Sequence, residues 1–242
     1  MATYLYCVRN GTAARPTGVF GLDGAPVRAI DAVALVAWAS DVAQPSVDVT
    51  VDRLKAHDAV CAAALDSGET PLPIRFGQTF ADDAALVAGI VGRESELRDR
   101  LARISGCVEL RIVVTQGRDT DLSHEPHDGD EADSAESVDD APSPLEGPGT
   151  AFLRRLARAG RADLAREVAC EDTRHAVRSL SPSLIVDQLR CETARGMAFF
   201  PVLVRRDDVD AFRRSIAEIL PSQQIALSVL GPFAPYSFAS DA

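Results

Sequence analysis

The sequence predicts an α+β protein in two domains, an N-terminal mixed α+β domain over 1–105 and a C-terminal ferredoxin-like domain over 106–242. Three observations predict it. A strongly acidic stretch at 117–149 splits the periodic sequence into two blocks. Short alternating segments interleave with amphipathic ones in both blocks. Between 107 and 230 their order reads strand, helix, weak strand, strand, helix, strand, which is the split β-α-β order of a ferredoxin-like fold. At 242 residues with 46% hydrophobic content, the chain can bury two cores.

In the first block, Thr3 to Arg9 alternates as a strand, with Tyr4 and Tyr6 against Leu5 and Cys7, and a Gly- and Pro-containing loop follows at 10–18. Val27 to Ile30 and Ala34 to Ala39 read as two further strands. Thr50 to Asp66 reads as a helix supported by Asp52 in its first turn, with Leu54, Val60, Cys61 and Leu65 on its buried side. Pro71 to Phe76 is expected to be a strand. A helical segment from about Ala81 to Ile104 carries Leu86, Ile90, Leu97, Leu101 and Ile104 as its stripe, with a break near Gly89 and Gly92.

In the second block, Cys107 to Thr115 alternates as a half-buried strand, Val108, Leu110, Ile112 and Val114 facing inward and Glu109 and Arg111 outward. Thr150 is placed to cap a long helix carrying Leu153, Leu156, Leu164 and Val168. Ser183 to Arg190 is ambiguous. Met197 to Arg205 is a strand in which Pro201 suggests an edge or a bulge. Asp207 and Asp208 open a helix carrying Val209, Phe212, Ile216 and Ile219, and Pro221 ends it. Ile225 to Leu230 is the last strand, and the tail 231–242 follows.

Charge narrows the function. The formal net charge is −11, but eleven of the 36 acidic residues lie between Asp119 and Glu146, where there is no Lys or Arg. The remaining 25 match the 25 basic residues, so the folded part is near neutral, which argues against a nucleic-acid binder. The acidic insert has too few large apolar residues to offset its ordering entropy and is expected to be disordered. Deleting 119–146 is therefore expected to leave the fold intact. No apolar run reaches the roughly 18 residues a membrane span needs. MATYLYCVRN reads as a strand, not as a secretory leader, and a cytoplasmic location is expected. Cys7, Cys61, Cys107, Cys170 and Cys191 are scattered and odd in number, and are expected to be small buried thiols.

No catalytic motif assembles by spacing: there is no Gly-x-Ser-x-Gly elbow, no phosphate loop and no dinucleotide fingerprint. His124 and His127 fall in the acidic insert. His175 follows Cys170 and Glu171 without two further ligands in reach, so it reads as a helix-surface residue. His57 lies on the helix over 50–66 with no nucleophile or acid partner identifiable, which favours a core or capping histidine over a general base. No catalytic residue, metal site or cofactor is expected.

The segment Leu72 to Phe80, LPIRFGQTF, has a plain structural reading. Alternation turns Leu72, Ile74 and Phe76 to the core. Gly77 permits a turn, and Thr79 with Asp82 resembles a weak capping box for the next helix. Arg75 is open between two roles, an internal ion pair or a planar fork offered to a partner.

With these residues in place, the chain resembles the gas vesicle accessory proteins of the F/L family, over all of its length except the acidic insert. Tyr4-Leu5-Tyr6-Cys7-Val8 is similar to the family's opening Tyr-x-Tyr-Gly strand, with Cys7 where glycine is usual. His57 and Val60 followed by LPIRFGQTF resemble its helix and Leu-Pro-x-Arg-Phe-Gly segment. LARISGCVELRIV (Leu101 to Val113) and MAFFPVLV (Met197 to Val204) resemble its Gly-x-x-Glu strand and its apolar strand before the last helix. The tail GPFAPYSF is similar to the family's ending, with Phe233 and Ala234 in place of Trp and Pro. Five such pieces in order make a specific signature.

The resemblance implies a modified ferredoxin-like C-terminal domain and a non-enzymatic factor of gas vesicle assembly. It implies the gas vesicle shell protein and other vesicle accessory proteins as partners. The partner-binding candidates are Arg75, Phe76, Gln78 and Phe80 in the first segment and Phe233, Tyr236 and Phe238 in the tail, whose aromatic residues would suit a clasp onto the N-terminal domain. The alternative is a small-molecule-binding regulatory module, since ferredoxin-like domains often host ligands.

Overall fold

Strand β1 (Ala2–Asn10) is the spine of the N-terminal half, and eight of its nine residues are buried. The computed structural model describes residues 1–116, 184–194, 197–218 and 225–239. The acidic insert, the expected helix after Thr150, His175, Cys170 and Ile219 lie outside these residues.

Two antiparallel sheets make up the described architecture. In the first, β2 (Arg28–Ala32) and β3 (Leu35–Val42) form a hairpin, β1 pairs with β3, and β4 (Leu72–Pro73) and β5 (Thr79–Phe80) share the other edge of β1. Both faces of this sheet are covered, which is why β1 and β3 read as near-continuous apolar runs. One face, with Leu5, Val8, Ala37 and Ala39, packs on Leu86, Ile90, Leu97 and Leu101. The other, with Tyr4, Tyr6 and Trp38, packs on Val60, Cys61 and Ala64 of α1 (Val51–Asp66). Arg9 is buried and makes no ion pair among the described residues. Its guanidinium lies 5.0 Å over the Trp38 ring and donates to the Ala14 and Glu69 carbonyls, and burial lowers its pKa.

Thr50 caps α1 through its hydroxyl, as its β-region backbone and position before the helix require. Leu54, expected on the buried side of α1, is 42% exposed, and His57 takes that inward position instead. The expected break near Gly89 and Gly92 is real: α2 (Asp83–Val91) and α3 (Glu94–Ile104) are separate helices. The cap of α2 is Asp82 itself, accepting from the Ala85 N–H, and not a Thr79–Asp82 box. Thr79 instead donates its hydroxyl to the Pro45 carbonyl.

The second sheet has the order β10-β6-β9-β7, from β6 (Cys107–Gln116), β7 (Asp187–Gln188), β9 (Met197–Arg205) and β10 (Ile225–Phe233), with β8 (Glu192–Ala194) extending the β7 position along β9. This is the ferredoxin-like strand order with its second strand split in two. Pro201 explains the split. It lacks an N–H, and it stands opposite the gap between β7 and β8, where only its carbonyl is used, accepting from the Leu189 N–H. Helix α4 (Val209–Glu218) lays Phe212 and Ile216 against Leu110, Ile112, Phe200, Val202 and Val204. Cys7, Cys61 and Cys107 are free and buried, as expected, but Cys191 is in a disulfide.

The two sheets share a core. Cys107 and Leu203 join the cluster built by α2 and α3, the Thr70 hydroxyl donates to the Cys107 carbonyl, and Arg206 donates to the Leu65 carbonyl.

Candidate functional site

Residues 72–80 do not run as one strand. β4 pairs with Cys7 and Val8 and β5 with Thr3 and Tyr4, so the residues between them arch away from the edge of β1. Pro73 has no N–H to extend the ladder, and Gly77, at φ +93°, makes a turn that a side chain would strain. Two backbone bonds hold the feet of the arch, Ile74 N–H to the Tyr6 carbonyl and Leu5 N–H to the Gln78 carbonyl.

The span between those feet is held from beneath by His57 and Tyr4. His57 Nε2 lies 3.0 Å from the Ile74 carbonyl oxygen, which can only accept, so Nε2 carries the proton. In the neutral ring with that tautomer Nδ1 accepts from the Tyr4 hydroxyl at 2.8 Å, while that hydroxyl accepts from the Gly77 N–H at 3.1 Å. Burial pushes the Tyr4 phenol above its ordinary pKa, against the lowering effect of the Gly77 N–H, so it remains a donor. Phe76 packs edge-on to both rings, 5.9 Å from Tyr4 and 5.7 Å from His57 between centroids. His57 is thus a structural core residue of the arch.

The tail docks opposite. Within β10, at the irregularity between Leu230 and Phe233, Gly231 has φ +113° and comes so close to the Glu109 carbonyl that a Cβ would sit 2.8 Å from it. Glu109, expected to face solvent, is fully buried because the tail covers it. Its carboxylate accepts from Ser237 N–H at 2.8 Å, from the Ser237 hydroxyl at 2.9 Å and from Arg111 Nε at 2.8 Å. Phe238 plugs the core shared with α3, while Arg103 and Arg100 donate to the carbonyls of Phe238 and Ala239. Tyr236 lies 6.1 Å from the His57 ring, and burial, with the Cys61 thiol beside it, raises its pKa.

Between arch and tail lies a cleft of about 670 Å³. Leu54 and Asp58 of α1 form its rim, Leu97 and Arg100 of α3 with Arg93 just before that helix its far side, and Arg75, Phe76, Gln78 and Tyr236 its facing walls. Four of the seven sequence-predicted residues therefore meet at one place. The other three lie elsewhere: Phe80 is half-buried against the α2 side of the core, Phe233 is half-buried with the Arg111 guanidinium 5.4 Å from its ring, and Phe238 is buried. The sequence reading missed Leu54, Asp58, Arg93, Leu97 and Arg100 as cleft residues. For α3 a signal existed, because Leu97 and Arg100 stand three residues apart on one helix face.

The family model for gas vesicle synthesis protein GvpL/GvpF matches residues 2–240. The chain belongs to the GvpL/GvpF family. Among curated relatives, gas vesicle protein L2 of Halobacterium salinarum is 27% identical over 262 residues, covering 98% of this chain and 91% of the relative. Gas vesicle protein F of a Streptomyces species is 29% identical over 253 residues, covering 98% and 99%. Two crystal structures share the fold from end to end. GvpF from an Anabaena species superposes with a TM-score of 0.69 at 16% identity, covering 100% of this chain and 99% of that one. GvpF from Microcystis aeruginosa superposes with a TM-score of 0.67 at 17% identity, covering 99% of each.

In this GvpL/GvpF chain the signature segments have geometric work to do. The Tyr-x-Tyr strand, His57 and the Leu-Pro-x-Arg-Phe-Gly segment build the arch, and the Gly-x-x-Glu strand and the Tyr-Ser-Phe ending build the tail clasp. No helix among the described residues is long and apolar enough to cross a membrane.

Proposed function

We propose that this protein is a non-catalytic assembly factor that binds the hydrophobic shell protein, or other accessory proteins, while gas vesicles form in the cytoplasm. The observation that supports it most is the cleft. Arch and tail, far apart in sequence, are tied down separately and leave apolar and cationic groups facing one open space. Groups arranged this way suit recognition. The buried His57 and Tyr4 spend their hydrogen bonds on holding backbone, which is positioning and not proton transfer to a substrate. A shell subunit with exposed apolar surface needs a partner to cover it before it joins the shell.

The test is capture of the shell protein by the tagged full chain in cells assembling vesicles, with crosslinking before lysis. Recovery of the shell protein or another vesicle protein supports the proposal, and recovery of neither contradicts it. The cleft volume also lies in the range of small-molecule sites, roughly 300–1,000 Å³. This favours, as a second reading, a ligand-regulated module. A metabolite that raises the melting temperature of the purified chain supports it.

A further inference from the structure

The cleft is not closed at the α1 side. Leu54, 42% exposed, lines it, and Val51, one turn earlier on the same helix face, is 65% exposed. The apolar lining thus runs out of the cleft along about one turn of α1, roughly 5 Å, and Asp58, next on that stripe, sets a carboxylate at the rim on the α1 side.

The electrostatics of the walls are specific. Arg93 and Arg100 are both paired with Glu96, at 2.7 and 2.6 Å, and Arg100 also holds the tail. Arg75, at the crown of the arch, makes no hydrogen bond or ion pair among the described residues, although it is exposed beside Ile74 and Phe76. Its backbone is fixed on both sides, by His57 at Ile74 and by Tyr4 at Gly77. A planar cation presented from a fixed arch over an apolar wall complements one carboxylate, which it can grip through two N–H groups.

We infer that the cleft and the adjoining Val51–Leu54 face of α1 take an apolar segment of a vesicle protein that presents one Asp or Glu side chain to Arg75. This rests on the assembly-factor reading and deepens it. The apolar residues of the segment lie along Leu54 and Val51 and enter toward Leu97 and Tyr236, and its carboxylate sits over the arch.

The test uses the full chain and two synthetic amphipathic helical peptides identical except for Glu→Gln at one position, with binding read by fluorescence anisotropy of a peptide label. Wild type is expected to bind the Glu peptide about ten- to a hundredfold more tightly, the scale of one charge-assisted hydrogen-bonded pair. Arg75→Gln should abolish that preference while keeping the weaker apolar affinity, and Leu54→Asp should weaken both peptides alike. Because both residues are exposed, melting curves should stay unchanged and separate lost binding from lost folding. Equal binding of the two peptides by wild type, binding of neither, or a preference that survives Arg75→Gln would overturn the inference. Capture of the shell protein distinguishes the two readings. If it is undiminished in both variants, this surface is wrong and the assembly-factor reading stands; if wild type prefers the Glu peptide but captures no vesicle protein, the surface stands and that reading falls.

Discussion

The arch at 74–78 and the tail at 234–239 face each other across one cleft but are held by different physics. The arch is part of a sheet edge. It is fixed by two backbone bonds to β1 and by the hydrogen bonds of His57 and Tyr4, all within one half of the molecule. The tail is fixed by a buried carboxylate from the second sheet, two arginines from α3 and one aromatic plug. One wall is set by local folding and the other by contacts more than 120 residues apart in sequence, the Glu109–Ser237 bond spanning 128. The difference teaches that the tail can be loosened without dismantling the arch, so the two walls can be tested separately.

The largest effect is expected at the plug. Phe238→Ala removes a side chain 2% exposed in a core shared with Leu97 and Leu101 and should cost about 3–5 kcal/mol in urea denaturation. Glu109→Ala should come next, at about 2–3 kcal/mol, since it strands the Ser237 N–H and hydroxyl. Hydrogen exchange should quicken at 234–239 in that variant and stay slow at 74–78. Quickening of both walls together would break the comparison.

The arch has the matching experiment. Tyr4→Phe keeps the ring and deletes the link between Gly77 and His57, and should cost about 1–2 kcal/mol with exchange quickened at Gly77 and Gln78. The tail should be unaffected.

The smallest effect concerns acid. Asp83, at the exit of the arch segment, accepts from the Thr3 hydroxyl and pairs with Arg28, and these hold its carboxyl below the usual pKa. A group with a depressed folded pKa contributes stability above its ordinary pKa and loses it as pH falls through the lowered one. Asp83→Asn should therefore remove a small part of the stability seen at neutral pH and flatten the acid limb of the melting profile. Because Asp83 is partly exposed, solvent screening keeps the effect small.

How far the sequence could be read follows the same division. Local patterns reported local structure: strands at β1 and β6, the helix over 50–66, the Gly89–Gly92 break, and the Phe212–Ile216 spacing all appear as expected. The arch was legible only in part. Alternation across Pro71 to Phe76 cannot show that Pro73 and Gly77 interrupt the pairing after two residues. Glu109 was the clearest failure. Its place in an alternating strand implied solvent, because what covers it arrives from residue 237. Leu54 failed in reverse: an apolar residue at helical spacing was assigned to the core, yet it faces the cleft. In both cases the deciding contact is tertiary, which periodicity does not encode.

The central claim is that arch and tail form one partner-binding surface. Hydrogen exchange of the full chain with and without the shell protein tests it most directly. The account predicts slowed exchange at 74–78, at 234–239 and along 51–58 together, with the α4 face of the second sheet unchanged. Slowed exchange confined to that α4 face, with both walls of the cleft unaltered, would contradict it.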